Sequence, residues 1–180
     1  MLKREFMPMS SLNHLSKCFK MLIVGTGGTF DKDYELTDGS LIFAQSCIPN
    51  LLRDARITTQ HRFVSLLKKD SLELTVADRL QLLEACRSAY ETEIVIVHGT
   101  DTMTETAAFL QQGAVNKTIV LTGAMRPHAF GHSDASFNLG YAIACAQHLA
   151  HGVYIAMQGE CFPVGQVMKD KQRALFIRVD

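Results

Sequence analysis

Residues 93–123, EIVIVHGTDTMTETAAFLQQGAVNKTIVLTG, contain a complete strand–helix–strand unit and decide the fold class. Residues 93–98 and 118–122 are rich in β-branched residues and bounded by turn formers, which is typical of buried parallel strands. Residues 102–112 predict the helix between them, and Thr102-Met-Thr-Glu105 at its start has the spacing of a capping box. Because two parallel strands joined by a helix form a βαβ crossover, the segment predicts an α/β fold.

The same alternation of strands and helices continues on both sides of this unit. Further strands are predicted at residues 21–25, 62–67 and 152–157, and further helices within 40–53, at 76–90 and at 134–150. We therefore expect a three-layer α/β/α sandwich with a mostly parallel sheet, Rossmann-like or flavodoxin-like. Ligands bind such sheets outside the carboxyl ends of the strands, so the active site is expected at that edge.

The helix at 76–90 carries two more detailed predictions. Thr75-Val-Ala-Asp78 has the pattern of a capping box and marks the start of the helix. The face that packs against the sheet is predicted from apolar residues at helical spacing: Val76, Leu80, Leu83 and Tyr90.

The domain organisation is predicted to be simple. Residues 21–180 contain no repeat or linker and are expected to form a single domain. Residues 1–20 are polar and precede another methionine, Met21, at the first strand. They predict either a disordered tail or a translation start assigned too early.

The charge balance points to a small ligand. The 180-residue chain has 18 Lys and Arg residues and 18 Asp and Glu residues, so its formal net charge is zero. No overall field attracts nucleic acid or anionic lipid, and no apolar stretch is long enough to span a membrane. We therefore expect a small-molecule substrate and neither a nucleic-acid nor a membrane partner.

The cysteines are scattered, odd in number and without the spacing of a zinc site: Cys18, Cys47, Cys86, Cys145 and Cys161. This pattern predicts free thiols in a reducing compartment, hence a cytoplasmic protein, and no metal or other cofactor.

Glycines and hydroxyl groups are concentrated in the loops after three predicted strands. These loops are Gly25-Thr-Gly-Gly-Thr-Phe30, His98-Gly-Thr-Asp-Thr102 and Gly123-Ala-Met-Arg-Pro127. Phe30 occupies the place of the third glycine in a dinucleotide-binding fingerprint, and the Gly-Lys pair of a Walker A loop is absent from the sequence of this loop. The glycines alone could serve a tight turn, but three such loops at one sheet edge predict a ligand site.

Thr100 and Asp101 in the second loop allow two interpretations. Both residue types are favoured at helix N-caps. A threonine hydroxyl is also a nucleophile when a base activates it, and a partly buried lysine with a carboxylate neighbour could be that base. The residues by themselves leave both interpretations open.

Three motifs, in order along the chain, resemble the bacterial-type L-asparaginase family. They are Thr26-Gly-Gly-Thr29, His98-Gly-Thr-Asp-Thr-Met103 and Thr122-Gly-Ala-Met-Arg-Pro127. The resemblance covers about residues 21–177 and implies the α/β fold of the family's N-terminal domain. It also implies the family's reaction, in which L-asparagine is hydrolysed to L-aspartate and ammonia through a threonine acyl-enzyme.

The resemblance implies five catalytic residues. Thr29 matches the family's nucleophile, and Thr100 and Asp101 match its second catalytic threonine and acidic neighbour. Lys169, in Val167-Met-Lys169, matches the base behind the second threonine. Tyr34 matches a tyrosine of a mobile segment that assists the nucleophile.

The resemblance also implies how the substrate is held. Ser71 in the segment Asp70-Ser-Leu-Glu-Leu-Thr75 matches the residue that binds the substrate's α-carboxylate, and Asp101 binds the α-amino group. Gly28, Gly99 and Ala124 are expected to contribute backbone atoms, including N–H groups that face the developing oxyanion.

Two departures from the family pattern leave the substrate open. Full-length members carry a second, smaller domain with no counterpart in residues 21–180, and Leu72 occupies a position that is often polar in the family. We expect a short single-domain member, homo-oligomeric by family analogy. Hydrolysis of a different small amide, and a non-catalytic module that binds asparagine or aspartate, are the alternatives.

Overall fold

The computed structural model describes residues 19–113 and 116–179. Most of the segment for which a disordered tail or a late start is expected, residues 1–18 with Cys18, lies outside the described residues.

The elements alternate along the chain as predicted. The strands are β1 (Met21–Gly27), β2 (Lys32–Tyr34), β3 (Leu41–Phe43), β4 (His61–Lys69), β5 (Glu93–Val97), β6 (Thr118–Thr122), β7 (Gly152–Met157), β8 (Glu160–Pro163), β9 (Val167–Asp170) and β10 (Leu175–Arg178). The helices are α1 (Ile48–Asp54), α2 (Val76–Ser88), α3 (Met103–Gln111) and α4 (Ala135–His148). All the strands and helices predicted above are confirmed, whereas β2, β3 and β8 to β10 were missed because they are only three or four residues long.

Six strands form the central sheet in the order β4-β1-β5-β6-β7-β8. Neighbouring strands are parallel except for β8, which runs antiparallel to β7. Without the short β2–β3 hairpin, the five parallel strands follow the order 2-1-3-4-5 along the sheet. This is the flavodoxin-like order, so the predicted fold class is confirmed.

Helices cover both faces of the sheet, because successive side chains of a strand point to opposite faces. Leu22 and Ile94 belong to the core cluster on one face, together with apolar residues of α2 and α3. Ile23 and Val95 belong to the cluster on the other face, together with residues of α1 and α4. The result is the predicted three-layer sandwich. Among the described residues, no helix combines the length and the apolar character needed to cross a membrane.

The predicted buried face of α2 is wrong. Val76, Leu80 and Tyr90 are 62%, 53% and 91% exposed, and only Leu83 of the predicted set is buried. The helix instead packs through Leu82, Leu83 and Cys86.

A polar residue on the packed face of α2 hides the pattern from the sequence. Arg79 is the residue that completes this face at helical spacing. Its guanidinium donates to the Leu74 carbonyl and to Thr106 Oγ1, at 3.2 and 3.1 Å. The Thr75–Asp78 capping box at the start of α2 is confirmed.

We expect Leu82→Ala and Leu80→Ala to separate the two faces of α2. Leu82→Ala removes fully buried apolar atoms and should lower the free energy of unfolding by about 2–5 kcal/mol. Leu80→Ala, the matched control, should change it by no more than about 0.5 kcal/mol because Leu80 is exposed. Urea denaturation followed by circular dichroism measures both; equal losses would contradict this packing.

Candidate active site

The crevice between β1 and β5 is the topological switch point of the sheet. From β1 the chain moves to β4 on one side, and then returns to β5 on the other side. Loops at the carboxyl ends of these two strands therefore diverge and leave a crevice, where open α/β sheets bind their ligands. Thr26 joins the two strand ends, since its buried hydroxyl donates to the Val97 carbonyl at 3.0 Å.

Two glycines bring the loops after β1 and β5 into direct backbone contact. A Cβ added to Gly28 would lie 2.5 Å from the N and Cα atoms of Gly99. Gly28 has φ +71, a conformation that favours glycine, and its N–H donates to the Lys69 carbonyl at 2.9 Å. The Gly28 N–H is therefore already used, and what Gly28 provides is the close approach.

Thr29 opens a short 3-10 turn, Thr29–Asp31, directly after this contact. The turn is anchored by Asp31, whose buried carboxylate accepts hydrogen bonds from the Ser46 hydroxyl and the Cys47 N–H, at 3.0 and 3.1 Å. The side chain of Thr29 itself is half-buried. A fixed turn therefore holds a partly accessible hydroxyl beside the crevice.

The segment after β4 places Ser71 against the second loop. A Cβ added to Gly99 would lie 2.7 Å from Ser71 Oγ. Ser71 is buried, and its Oγ has no hydrogen-bond partner among the described residues. The neighbouring Leu72 is 68% exposed.

Asp70 fixes this segment from the other side. Its carboxylate accepts from the Leu72 N–H at 3.1 Å and forms an ion pair with Lys32 of β2. Burial disfavours the charged form of Asp70, but the hydrogen bonds from Lys32 and from the Leu72 N–H outweigh it and lower the pKa of the carboxyl. The β2–β3 hairpin is thus tied to the Ser71 segment by charge.

The predicted capping box at Thr102 and Glu105 is wrong. Thr102 is the residue before α3, but its side chain makes no cap hydrogen bond. Its buried hydroxyl donates to the Ser71 carbonyl at 2.7 Å, while Glu105 pairs with Arg79 at 3.3 Å. The hydroxyl forms a long-range contact that the local pattern could not reveal, and it joins the second loop to the Ser71 segment.

Lys169 brings Thr100 and Asp101 into one cluster. Its Nζ lies 2.7 Å from Thr100 Oγ1 and 2.7 Å from Asp101 Oδ1. Thr100 is buried and the Lys169 side chain nearly so, whereas the Asp101 side chain is partly exposed. A hydroxyl, an amine and a carboxylate are therefore in direct contact at the carboxyl edge of the sheet.

The loop after β6 closes the third side of the crevice. Ala124 is buried, and a Cβ added to Gly123 would lie 3.3 Å from Thr100 Cγ2. The loop is held by Asp134, whose carboxylate accepts from the N–H groups of Met125 and Arg126 at 3.0 to 3.1 Å. The sequence predicts that a helix begins at Asp134, but no sequence pattern indicates that the Asp134 carboxylate holds this loop.

The position of Tyr34 does not test its predicted assistance to the nucleophile. Tyr34 is 51% exposed on the β2–β3 hairpin, and its hydroxyl lies 3.0 Å from the Cβ position of Gly39. The hydroxyl is thus directed at its own hairpin in this conformation, and its assistance to Thr29 stays a prediction. Within residues 19–113 and 116–179, no cluster of three or more His, Cys, Asp or Glu side chains could hold a metal ion.

His98 is a buried residue of the second loop that was not assigned a role. Its Nδ1 lies 2.7 Å from the Gly99 carbonyl, so the neutral ring donates its proton to that oxygen. Nε2 is buried with no hydrogen-bond partner among the described residues. Burial lowers the pKa of His98 to about 4, so the imidazole is neutral near pH 7 and fixes the orientation of the Gly99 peptide.

Comparison with known proteins points in one direction. A family model described as Asparaginase, N-terminal, matches residues 20–175. The chain is 29% identical over 167 residues to the protein named probable periplasmic L-asparaginase of Haemophilus influenzae, covering 85% of this chain and 47% of that protein. It is 33% identical over 157 residues to a glutamyl-tRNA(Gln) amidotransferase subunit of Aeropyrum pernix, covering 78% of this chain and 35% of that protein.

A solved structure supports the same relationship. The thermostable L-asparaginase from Thermococcus kodakarensis superposes with a TM-score of 0.78 at 28% identity, over 89% of this chain and 51% of that chain. The chain thus spans about half the length, or less, of the relatives that it matches.

We expect His98 to make the protein sensitive to acid. The folded-state pKa of about 4 lies below the value of about 6.5 for an unfolded chain. Between these two pH values the unfolded state binds a proton that the folded state does not. The contribution of His98 to the free energy of unfolding is therefore fully present above pH 6.5 and is lost as the pH falls towards 4. Between pH 7.5 and 5, the wild type should lose about 2 kcal/mol more unfolding free energy than His98→Gln.

Urea denaturation at several pH values measures this difference. His148→Gln, on an exposed histidine, is the matched control and should lose stability as the wild type does. A His98→Gln variant with the same pH dependence as the wild type would refute a buried neutral imidazole.

Proposed function

Since the chain belongs to the asparaginase family, we propose that it hydrolyses the side-chain amide of L-asparagine to L-aspartate and ammonia, with Thr29 as the nucleophile. One observation carries the proposal: the Nζ of Lys169 contacts both Thr100 Oγ1 and Asp101 Oδ1 at 2.7 Å. These residues are 69 and 68 positions apart along the chain, so the contact is a product of the fold.

The proposed reaction has two half-reactions. The Thr29 hydroxyl attacks the amide carbon, ammonia leaves with the proton that the hydroxyl gives up, and an acyl-enzyme ester is formed. Water then attacks the ester, which releases L-aspartate and restores the Thr29 hydroxyl. Thr100 and Lys169 are the groups in this site that can carry a proton between water, ester and leaving group.

The substrate is proposed to be held at both ends. Ser71 Oγ is a buried group without a partner among the described residues, and such a group gains most from a ligand oxygen. The partly exposed carboxylate of Asp101 suits the α-amino group. Fixing the two ends of a zwitterion orients the amide carbon towards Thr29, an effect that can lower the barrier by about 7–11 kcal/mol.

Gly99 and Ala124 are proposed to shape the pocket around the amide. Both belong to loops whose backbone faces the crevice, and the N–H groups of such loops stabilise an oxyanion when they point at it. Gly28 contributes differently, because its N–H already donates to Lys69. Tyr34 is proposed to reach Thr29 by a movement of the β2–β3 hairpin.

Hydrolysis of another small amide is the second candidate. It is favoured by the 33% identity to a glutamyl-tRNA(Gln) amidotransferase subunit, a protein whose name refers to amide transfer and not to asparagine. The exposed Leu72 beside Ser71 also leaves the substrate end of the site open to other side chains. Glutamine is therefore the first amide to compare with asparagine.

A homo-oligomer and a cytoplasmic location belong to the same proposal. The first rests on family analogy and the second on the free thiols of Cys47, Cys86, Cys145 and Cys161. Light scattering coupled to size-exclusion chromatography measures the first; a single species with the mass of one chain would refute it.

We expect Thr29→Ala to abolish ammonia release from L-asparagine, since it removes the nucleophile, and Thr29→Ser to keep part of it. An enzyme-coupled ammonia assay with L-asparagine, L-glutamine and other small amides measures the activity. If Thr29→Ala and the wild type both release no ammonia but bind L-asparagine equally in calorimetry, the chain is a binding module instead.

We expect Lys169→Met to lower kcat by about 100-fold to 10,000-fold, the usual contribution of a proton-transfer group. Lys171→Met is the matched control, because Lys171 is exposed and two residues away in the same hairpin. It should leave kcat within about twofold of the wild type. Equal effects of the two substitutions would rule out the proposed role of Lys169.

A further inference from the structure

One glutamine side chain joins the hairpin that carries Lys169 to the turn between β7 and β8. Strands β9 and β10 pair with each other and form a sheet separate from the central one. The Gln158 side chain reaches this hairpin from that turn. Its Nε2 donates to the Ala174 carbonyl, and its Oε1 accepts from the Phe176 N–H, both at 3.0 Å.

The second of these bonds is formed directly opposite Lys169. In the antiparallel pairing of β9 with β10, Phe176 is the partner of Lys169. Gln158 therefore grips the hairpin at the register position from which the Lys169 side chain projects. Gln166, the residue before β9, accepts a hydrogen bond from Arg178 at the opposite end of the ladder, at 3.3 Å.

The backbone of Gln158 is itself held by the site. Its N–H donates to Asn138 Oδ1 at 3.0 Å. The amide nitrogen of Asn138, a fully buried residue of α4, donates to the Gly123 carbonyl at 3.0 Å and to Asp134 Oδ2 at 2.8 Å. A continuous series of hydrogen bonds thus leads from the loop after β6 to the hairpin.

Apolar contacts alone do not fix the position of this hairpin. Phe176 and Val167 are buried in the core, but apolar burial is non-directional. An isolated two-stranded hairpin is also only marginally stable. The Lys169 Nζ nevertheless has to meet two oxygen atoms at 2.7 Å, and a shift of about 1 Å at a catalytic group can cost about 100-fold in rate.

We propose that Gln158 is a positioning residue, which sets the β9–β10 hairpin so that Lys169 Nζ contacts Thr100 and Asp101 together. The proposal rests on the proposed function in so far as Lys169 acts in catalysis. The contact between the glutamine side chain and the hairpin is independent of it.

The conformation of Gln158 separates this role from plain stabilisation. Gln158 has φ +56, in the left-handed region where glycine and asparagine fit better than glutamine. Gln158→Gly relieves the backbone and removes the side chain, and Gln158→Asn relieves the backbone and shortens the side chain. If residue 158 served only the turn, both substitutions would stabilise that turn.

The experiment measures the catalytic activity and the stability of the fold separately. In Gln158→Gly and Gln158→Asn we expect a urea midpoint close to that of the wild type, because relief of the left-handed backbone offsets the two lost hydrogen bonds, together with a kcat for L-asparagine at least about tenfold lower. Gln166→Ala, the matched control on the same hairpin, should leave kcat within about twofold. A folded Gln158→Gly variant with wild-type kcat would overturn the proposal.

A chemical readout on Lys169 keeps the test independent of turnover. N-hydroxysuccinimidyl acetate acylates free lysine side chains, and peptide mass spectrometry measures its rate at Lys169 and Lys171 in the same sample. In Gln158→Gly we expect acylation of Lys169 to be several times faster and that of Lys171 to be unchanged. Unchanged rates at Lys169 would overturn the proposal even if the wild type hydrolyses no amide; faster acylation with an inactive wild type would support the positioning and refute only the proposed function.

Discussion

The contact between Gly28 and Gly99 is the constraint on which the candidate site depends. The sheet places β1 and β5 side by side, but the loops that follow them diverge at a switch point unless something joins them. A Cβ on Gly28 would lie 2.5 Å from the Gly99 backbone, and a Cβ on Gly99 would lie 2.7 Å from Ser71 Oγ. Because Gly28 and Gly99 carry no side chain, three loops can meet. Thr29 and Thr100 follow these glycines directly in the sequence, and Ser71 contacts Gly99.

The pair between Lys169 and Asp101 is better explained by a role in the reaction than by a contribution to the stability of the fold. Asp101 is partly exposed, and a pair between a lysine and an exposed carboxylate contributes about 0–1 kcal/mol in water. Lys169 also loses side-chain entropy by meeting Thr100 and Asp101 at once. Lys32 and Asp70 form a second, less exposed pair, which links the β2–β3 hairpin to the Ser71 segment. Charged groups fixed in a crevice by specific partners are candidates for contact with a polar ligand.

The sequence predicts the fold class well because strands and helices alternate with clear periods, and βαβ crossovers make the strands parallel. The order of the strands is known only from the structure. The sequence predicts the packed face of α2 poorly, since Arg79 occupies that face and an arginine reads as a surface residue until its partners, Leu74 and Thr106, are known. The predicted capping role of Thr102 is wrong for the same reason, since its partner is distant in the sequence. The Thr102 hydroxyl donates to the Ser71 carbonyl, 31 positions away, instead of capping its own helix. The loop residues Thr29, Thr100 and Asp101 could be selected from motifs, whereas Lys169 required a family resemblance because nothing near it in the sequence distinguishes it from Lys171.

Stability and precision in this molecule come from different groups. The two apolar clusters supply the burial that keeps the sheet and helices together, yet burial leaves the lateral position of a short hairpin or loop loosely determined. The position of each site segment is instead set by a directional bond from a polar side chain: Asp134 for the loop after β6, Thr102 for the Ser71 segment, and Asp31 for the Thr29 turn. Thr102 and Asp134 immediately precede α3 and α4, which pack against the sheet, and Asp31 bonds to the two residues immediately before α1. Substitutions at these positions should therefore change the geometry of the site more than the stability of the fold, which distinguishes them from substitutions in the core.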